Sequence, residues 1–395
     1  MIYLDHAAST PIIYSALKVY NKSLVEDYAN SSSKHLLGAN LNKRVEEVRK
    51  YFLSEVHANA NGNGNANYSL IFTSSATESN NMIINSLDKN GFIKEGEGNI
   101  VYYSKADHPS ITAAITNIFG KKCDCDFRDI SSFVDEDADK IKLVILSQVN
   151  NHSGKFTDVC DATRKIKKIN PNVFIHVDAA QGFGKFKLDL SDGNIDSVTT
   201  SSHKMGGPKG VALLYYQKKF QKKTSLPLWP LLWGGEQESG YRSSSVNAPA
   251  IFSFQEAYKW AKQNMQTNYD NIYKINLAVR KSLSENRIKF PLQFPFALSE
   301  CSPYILTMIA PNVPADILQR HLEEKNIFVS TTSACSSKKK SSDESQKLLY
   351  NSLNIPLAFH KNVLRVSFGF TTTESEVDQF INDFNQIYND LLKIF

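Results

Sequence analysis

Asp178 and Lys204 are the two side chains whose types and settings most suggest chemistry. Phe174-Ile175-His176-Val177 is apolar enough for a buried strand and ends on Asp178. A carboxylate at the carboxyl end of a buried strand is poorly solvated, so it needs a cation or several donors. A second β-like run, Ile195 to Thr200, leads into Ser201-Ser202-His203-Lys204 and a Gly-Gly-Pro turn. Neighbouring strand ends could then bring an acid and an amine to one crevice. The commoner use of such a couple is an ordinary ion pair.

One cofactor uses that couple in a particular way. Pyridoxal phosphate needs a lysine to hold its aldehyde and an acid to keep its ring nitrogen protonated, because the protonated ring is the electron sink. Ser201 and His203 flank the lysine and could reach the phosphate.

HVDAAQ followed by SSHKMGGPKG resembles the cofactor region of the cysteine desulfurases, which belong to the class V aminotransferase family. The likeness runs from YLDHAASTP at Tyr3 to Pro11 through LRVSFGFTT at Leu364 to Thr372. It implies an α/β chain with the type I fold of pyridoxal-phosphate-dependent transferases. A large cofactor domain, 13–255, would hold a mostly parallel, seven-stranded-type sheet. A smaller α/β C-terminal domain, 256–395 together with 1–12, would carry a catalytic cysteine loop. The same resemblance makes Lys204 the cofactor lysine, puts Asp178 at the ring nitrogen and adds Gln181 to the cofactor-binding residues.

Further motifs acquire roles from the resemblance. Thr73 to Asn80 reads as a turn into a helix starting near Thr77, where small residues let backbone N–H groups approach an anion. A plain N-cap with a capping-box acid is the commoner use of such a run, whereas the family cradles the cofactor phosphate there, which implicates Ala76 and Thr77. His108, ahead of Pro109, would stack on the pyridine face and move protons. Asn151 fits a position touching cofactor and substrate carboxylate, but His152 stands where the family has an acid. Asn30 to Gly38 resembles an Asn-Pro-Ser-Ser-x-His loop, with Ser31 in place of proline. Tyr241 to Ser245 resembles the stretch that reaches the phosphate of the neighbouring subunit in these homodimers. Ser245 there supplies the hydroxyl and Ser244 replaces a glycine.

Cys335 lies in Ser333-Ala334-Cys335, which matches the desulfurases whose nucleophile rides on a longer loop, with Thr332 where glycine is common. Serines and lysines around it disfavour burial, and positive charge favours the thiolate. Lys338 to Lys340 reads first as a solvated charge run and second as a docking patch for an acidic sulfur acceptor. Arg365, a cation within the apolar run Val363 to Val366, needs a partner, and its fork suits a carboxylate. The resemblance makes it the substrate arginine. Gly369-Phe370-Thr371 is one residue shorter than the family's Gly-Arg-Phe-Thr.

Composition narrows the setting. The 395 residues are 42% hydrophobic and 22% charged, with a net charge of +5, as in a soluble globular protein. Apolar runs such as Ile141 to Leu146 are too short for a membrane span, and dispersed charge gives no case for nucleic acid. MIYLDHAAST lacks the marks of a targeting segment, so the expected place is the cytoplasm. Five cysteines make no disulfide framework, and Cys123-x-Cys125 has no second pair to complete a zinc site. A reducing cytosol keeps a catalytic thiolate usable.

The elements that must hold these residues alternate. Strands Ser69 to Phe72, Ile100 to Tyr103 and Ile141 to Leu146 are interleaved with helical stretches up to Gly210, which indicates a parallel sheet covered on both faces. Ligands in such sheets sit at the strand carboxyl ends. Long helices over Phe252 to Asn268 and Tyr269 to Asn286 lead to the smaller domain. Its elements are strands Pro303 to Ala310 and Ile327 to Ser330, and helices Pro314 to Lys325 and Glu374 to Leu392. Asn59 to Asn67, NANGNGNAN, is a low-complexity loop.

The implied reaction converts L-cysteine to alanine. Cysteine takes the place of Lys204 on the cofactor, Lys204 or His108 moves the α-proton, and Cys335 takes the sulfur as a persulfide for a protein acceptor. Two other readings remain: a selenocysteine lyase or other class V enzyme, and a sulfur-carrier or scaffold subunit that no longer turns over. Retention of Lys204, Asp178, His108, Cys335 and Arg365 together speaks against the last.

Overall fold

The computed structural model describes residues 1–58, 68–94, 99–120, 124–126, 140–218, 228–285, 290–331 and 342–394. Asn59 to Asn67 and the thiol segment, Thr332 through Cys335 to Lys340, lie outside the described residues. In chain order the first half runs β1 (Ile2–Tyr3), α1 (Tyr14–Glu26), α2 (Leu36–Glu55), β2 (Tyr68–Thr73), α3 (Ala76–Lys89), β3 (Ile100–Tyr102), α4 (Pro109–Phe119) and β4 (Asp124–Asp126). There follow β5 (Ile141–Ser147), α5 (Val159–Ile169), β6 (Phe174–Asp178), β7 (Ser197–Thr199), β8 (Ala212–Gln217), α6 (Ala248–Gln263) and α7 (Met265–Glu285). The chain closes with β9 (Ile305–Ile309), α8 (Ala315–Glu324), β10 (Ile327–Phe328), β11 (Ser330–Thr331), α9 (Ser342–Ser352), β12 (Val363–Ser367) and α10 (Glu374–Leu391).

These elements form two compact units, one of Pro11–Gln148 with Thr157–Gln263, the other of Met1–Thr10, Val149–Phe156 and Asn264–Phe395. The first contains a seven-stranded sheet in the order β2-β8-β7-β6-β5-β3-β4. Within it β8 pairs antiparallel with both β2 and β7, and the other pairings are parallel. The expected mostly parallel sheet is thus present. Every residue of β6 is buried, as a strand covered on both faces requires. Helices cover the sheet through apolar stripes: α5 buries Val159, Ala162, Thr163 and Ile166, and its lysines fall outside that stripe. Around β3, β5 and α3 the core gathers Ile83, Ile84, Leu87, Ile111, Leu143 and Ile145. Each such side chain contributes about 1.5–3 kcal/mol by leaving water.

The second unit holds a three-stranded antiparallel sheet, β11-β12-β9, and a parallel pair, β1-β10. The run expected as one strand, Ile327 to Ser330, divides at Val329: Ile327 and Phe328 pair with β1, and Ser330 and Thr331 with β12. One segment therefore ties two sheets together. A capping box starts α10, in which Glu376 N–H donates to the Thr373 hydroxyl at 3.3 Å and Thr373 N–H to Glu376 Oε2 at 2.9 Å. Phe380, Phe384 and Tyr388 then lie on its buried stripe. Among the described residues no helix is long and apolar enough to cross a membrane.

Candidate active site

In the sheet unit, Asp178 is the last residue of β6, with Ser147 of β5 on one side of it and Thr199 of β7 on the other. Lys204 follows β7 inside a tight turn, Ser202–Lys204. That turn needs Gly207, where a Cβ would come within 2.1 Å of the Ser202 hydroxyl. Ser201, Ser202 and Gln181 are buried.

The Asp178 carboxylate is held by two donors, Ala180 N–H to Oδ1 at 2.9 Å and Asn80 Nδ2 to Oδ2 at 3.0 Å. Asn80 donates also to the Ser110 hydroxyl at 2.9 Å. His108 caps α4, its Nδ1 accepting from Ser110 N–H at 3.1 Å and standing 2.8 Å from Ser110 Oγ. His108 is solvent-exposed, yet partial desolvation by nearby protein lowers its pKa, Lys204 lowers it further, and Asp178 pulls the other way. For His203, burial followed by the charges of Lys204, Lys209 and Lys185 brings the pKa down to about 4. The His203 ring is therefore neutral near neutral pH, and the lowering at His108 favours its neutral form.

Two further titratable groups belong to this neighbourhood. Burial pushes the Asp107 carboxyl up to about 7, opposed by hydrogen bonds from Ser147 and the Ser104 N–H and reinforced by the charge of Asp178. Ser147 Oγ donates to Asp107 Oδ1 at 2.7 Å, and Ser104 N–H to Oδ2 at 2.8 Å. Lys185 falls to about 7 through burial and the nearby charge of Lys204. An acid and an amine with such values are proton-exchanging groups near neutral pH.

At the start of α3, Ser75 caps the helix by accepting from Glu78 N–H at 3.1 Å. The leading N–H groups, those of Ala76 and Thr77, have no acceptor within a helix that begins there. Glu78 does not oppose an anion at this end, because its oxygens take Arg242 Nε at 3.0 Å and Ser74 N–H at 2.8 Å. Beyond it, Glu238 (φ 51°), Ser239 (φ 57°) and Ser244 (φ 114°) hold left-handed backbone that side chains resist. Arg49 secures that loop with a two-pronged pair to Glu238, both contacts at 2.8 Å, while Glu238 accepts from Phe72 N–H at 2.9 Å. Ser245 is exposed and lines a cavity of about 210 Å³ with Thr73, Ser74, Gly210, Arg242 and Asn247.

In the other unit, Arg365 is the buried centre of β12. Its Nη2 pairs with Asp5 Oδ1 at 2.9 Å and its Nη1 donates to the Asn151 carbonyl at 2.9 Å. Nε is buried and meets no acceptor among the described residues. Asn151 thus meets the guanidinium through its backbone. His152 is buried, with its N–H donating to Asn150 Oδ1 at 3.0 Å and its carbonyl accepting from Thr307 Oγ1.

The family model described as aminotransferase class-V matches residues 2–380. This chain belongs to the class V aminotransferase family. Among class V relatives, the NifS/IcsS protein homolog of Lactobacillus delbrueckii subsp. bulgaricus is 30% identical, covering 100% of this chain and 99% of that protein. Cysteine desulfurase IscS of Buchnera aphidicola is 30% identical over 99% of this chain and 93% of its own length. Among solved structures, the NifS-like protein of Rickettsia africae superimposes with a TM-score of 0.81 at 26% identity, covering 98% and 99% of the two chains.

In this class V chain the sheet unit places Lys204 within electrostatic reach of both His108 and His203, and Asp178 within reach of His108. Cys335, the expected nucleophile, lies outside the described residues. Sequence reasoning missed Asn80, Ser110, Asp107 and Asp5. A signal for Asn80 was present, because it shares the buried stripe of α3 with Ile83, Ile84 and Leu87. A polar residue on an apolar stripe needs partners.

Proposed function

We propose that this chain is a cysteine desulfurase that uses pyridoxal phosphate, taking sulfur from L-cysteine to leave alanine and a persulfide on Cys335. The observation that carries this reading is the linked placement of the Asp178 carboxylate, neutral His108 and Lys204 at the strand ends of the sheet unit. The donor set fits the cofactor. Asp178 is an acceptor anchored at both oxygens for the ring nitrogen, and Lys204 is the amine for the aldehyde. The leading N–H groups of α3, the Ser201 hydroxyl and the neutral His203 ring suit the phosphate, and Gln181 belongs to the same set. Bound there, the cofactor supplies an electron sink that loosens the bond between substrate carbon and sulfur.

The protein's own groups do the rest. Arg365 takes the substrate carboxylate with its fork, alongside Asn151. Lys204 and neutral His108 accept and return the α-proton. Cys335 thiolate forms the new S–S bond as the C–S bond breaks, and the electron pair left on carbon is protonated to the methyl group of alanine, so no outside oxidant is needed. A protein acceptor then removes the persulfide sulfur, and the cytoplasm is the fitting compartment for the reduced thiol. Tyr241 to Ser245 completes the cofactor site of a second copy in a homodimer.

Purified protein given L-cysteine and a reductant should release alanine and sulfide in equal amounts. Absence of alanine from cofactor-loaded protein would overturn the reading. Borohydride reduction followed by peptide mass analysis should find the cofactor on Lys204.

A further inference from the structure

We infer that Asn80 is a positioning residue that sets two active-site groups at once, fixing the plane of the Asp178 carboxylate and, through Ser110, holding His108 as its Nε2–H tautomer. The hydrogen-bond pattern stands by itself, and its importance for turnover rests on the function proposed above.

Asn80 is fully buried, and its side chain has three partners: Asp178 Oδ2 at 3.0 Å, Ser110 Oγ at 2.9 Å and His176 Nε2 at 2.9 Å. A carboxylate only accepts, so the amide nitrogen must face Asp178, and the amide oxygen must face His176. His176 is neutral, because burial brings its pKa down to about 4 against the opposing pull of Asp178. Its proton sits on Nε2 and points at Asn80 Oδ1, while Nδ1 accepts from Ser197 Oγ at 2.7 Å. A flipped amide would set its oxygen against a carboxylate and its N–H against a ring N–H, so the orientation is locked.

Ser110 Oγ already accepts from Asn80, so its own proton is free for His108 Nδ1 at 2.8 Å. Ser110 N–H also points at Nδ1, at 3.1 Å. A ring nitrogen that accepts from two donors carries no proton, which leaves the proton of neutral His108 on Nε2. On the other side, Asn80 and the Ala180 N–H hold one oxygen each of Asp178, so the carboxylate cannot rotate without breaking one. A single amide therefore orients both the group assigned to the ring nitrogen and the group assigned to proton transfer.

The test uses the full-length protein with isotope-labelled histidine, cofactor-free and cofactor-loaded, and long-range nitrogen–proton correlation spectra. His108 is assigned by His108→Gln. The expected spectrum of the parent shows Nδ1 bare and Nε2 protonated. Asn80→Ala and Asn80→Asp, each checked for parental circular dichroism, should shift His108 toward a tautomer mixture. Ser110→Ala should shift it at least as far, because it removes a direct donor to Nδ1 that both Asn80 variants keep. In loaded enzyme Asn80→Ala should lower kcat by about tenfold or more while KM for cysteine stays within about twofold. A parent protonated on Nδ1, or a folded Asn80→Ala with an unchanged His108 spectrum, would overturn the inference. If neither Asn80 variant folds, the parent and Ser110→Ala spectra decide it. Cofactor failing to join Lys204 would sink the proposed function, and the cofactor-free spectra would still judge the relay.

Discussion

Arg365 Nη2 lies 2.9 Å from Asp5 Oδ1, a pair formed between the start of the chain and its last strand. A carboxylate ligand that takes the guanidinium must share it with Asp5. Asp5→Asn keeps a hydrogen-bonding group and removes the competing charge. Cysteine should then bind more tightly, while stability drops by about 1–3 kcal/mol because Arg365 is left buried without its counter-charge. Arg365→Lys, which loses the fork, should weaken cysteine binding by about 1–3 kcal/mol. Titration with cysteine and thermal melts check both, and an Asp5→Asn protein with parental affinity and Tm would contradict the first.

Two histidines, His176 buried and His203 half-buried, set an acid limit. His176 and His203 ordinarily titrate near 6.5 and both are held down to about 4. The unfolded chain then binds more protons than the folded one in that interval, so their contribution is intact above about 6.5 and is lost as pH falls toward 4. Asp107, raised from 3.8 to about 7, has the opposite sign: its contribution is present below 3.8 and lost as pH rises through 7. His203→Gln should flatten the acid limb of a Tm–pH profile. Asp107→Asn should raise Tm at alkaline pH relative to the parent and gain nothing at acid pH. Parallel profiles for parent and variants would contradict these assignments.

Gly369 follows β12 and Phe368 near the carboxyl end of the chain. A Cβ added there would fall 2.2 Å from His6 Nδ1, with two more ring atoms within 2.6 Å. Because His6 is itself buried, Gly369→Ala must displace an imidazole or the backbone, at about 1–3 kcal/mol. Chemical denaturation should show that loss, and Ala at this position with parental stability would mean that the contact relaxes freely.

The parallel sheet was legible because its strands are short apolar runs such as Phe174 to Val177 and helices intervene, a pattern that leaves little else to build. Asp178 and Lys204 could be singled out because a strand end and a glycine turn mark where ligands bind. Other features carried no local mark. Val149–Phe156 belongs to the unit built from the chain ends, and nothing in Asn150-Asn151-His152 announces it. The split of Ile327 to Ser330 between two sheets depends on partners far away in sequence. Arg365 plainly needed a partner, but that Asp5 would supply it is a property of the folded chain. The apolar stripe of α3 marks Asn80 as needing partners, but that these are His176 and Asp178 on β6 is a property of the folded chain.

The central claim is that sulfur passes from cysteine to Cys335. Cofactor-loaded protein mixed with one equivalent of L-cysteine, quenched and digested, should carry a persulfide on the Cys335 peptide and release a matching amount of alanine. Cys335→Ser should change the cofactor's absorbance on adding cysteine, yet form no protein persulfide and almost no alanine. Alanine made by Cys335→Ser at the parent rate would show that this thiol is not the acceptor, and the account would give way to a lyase.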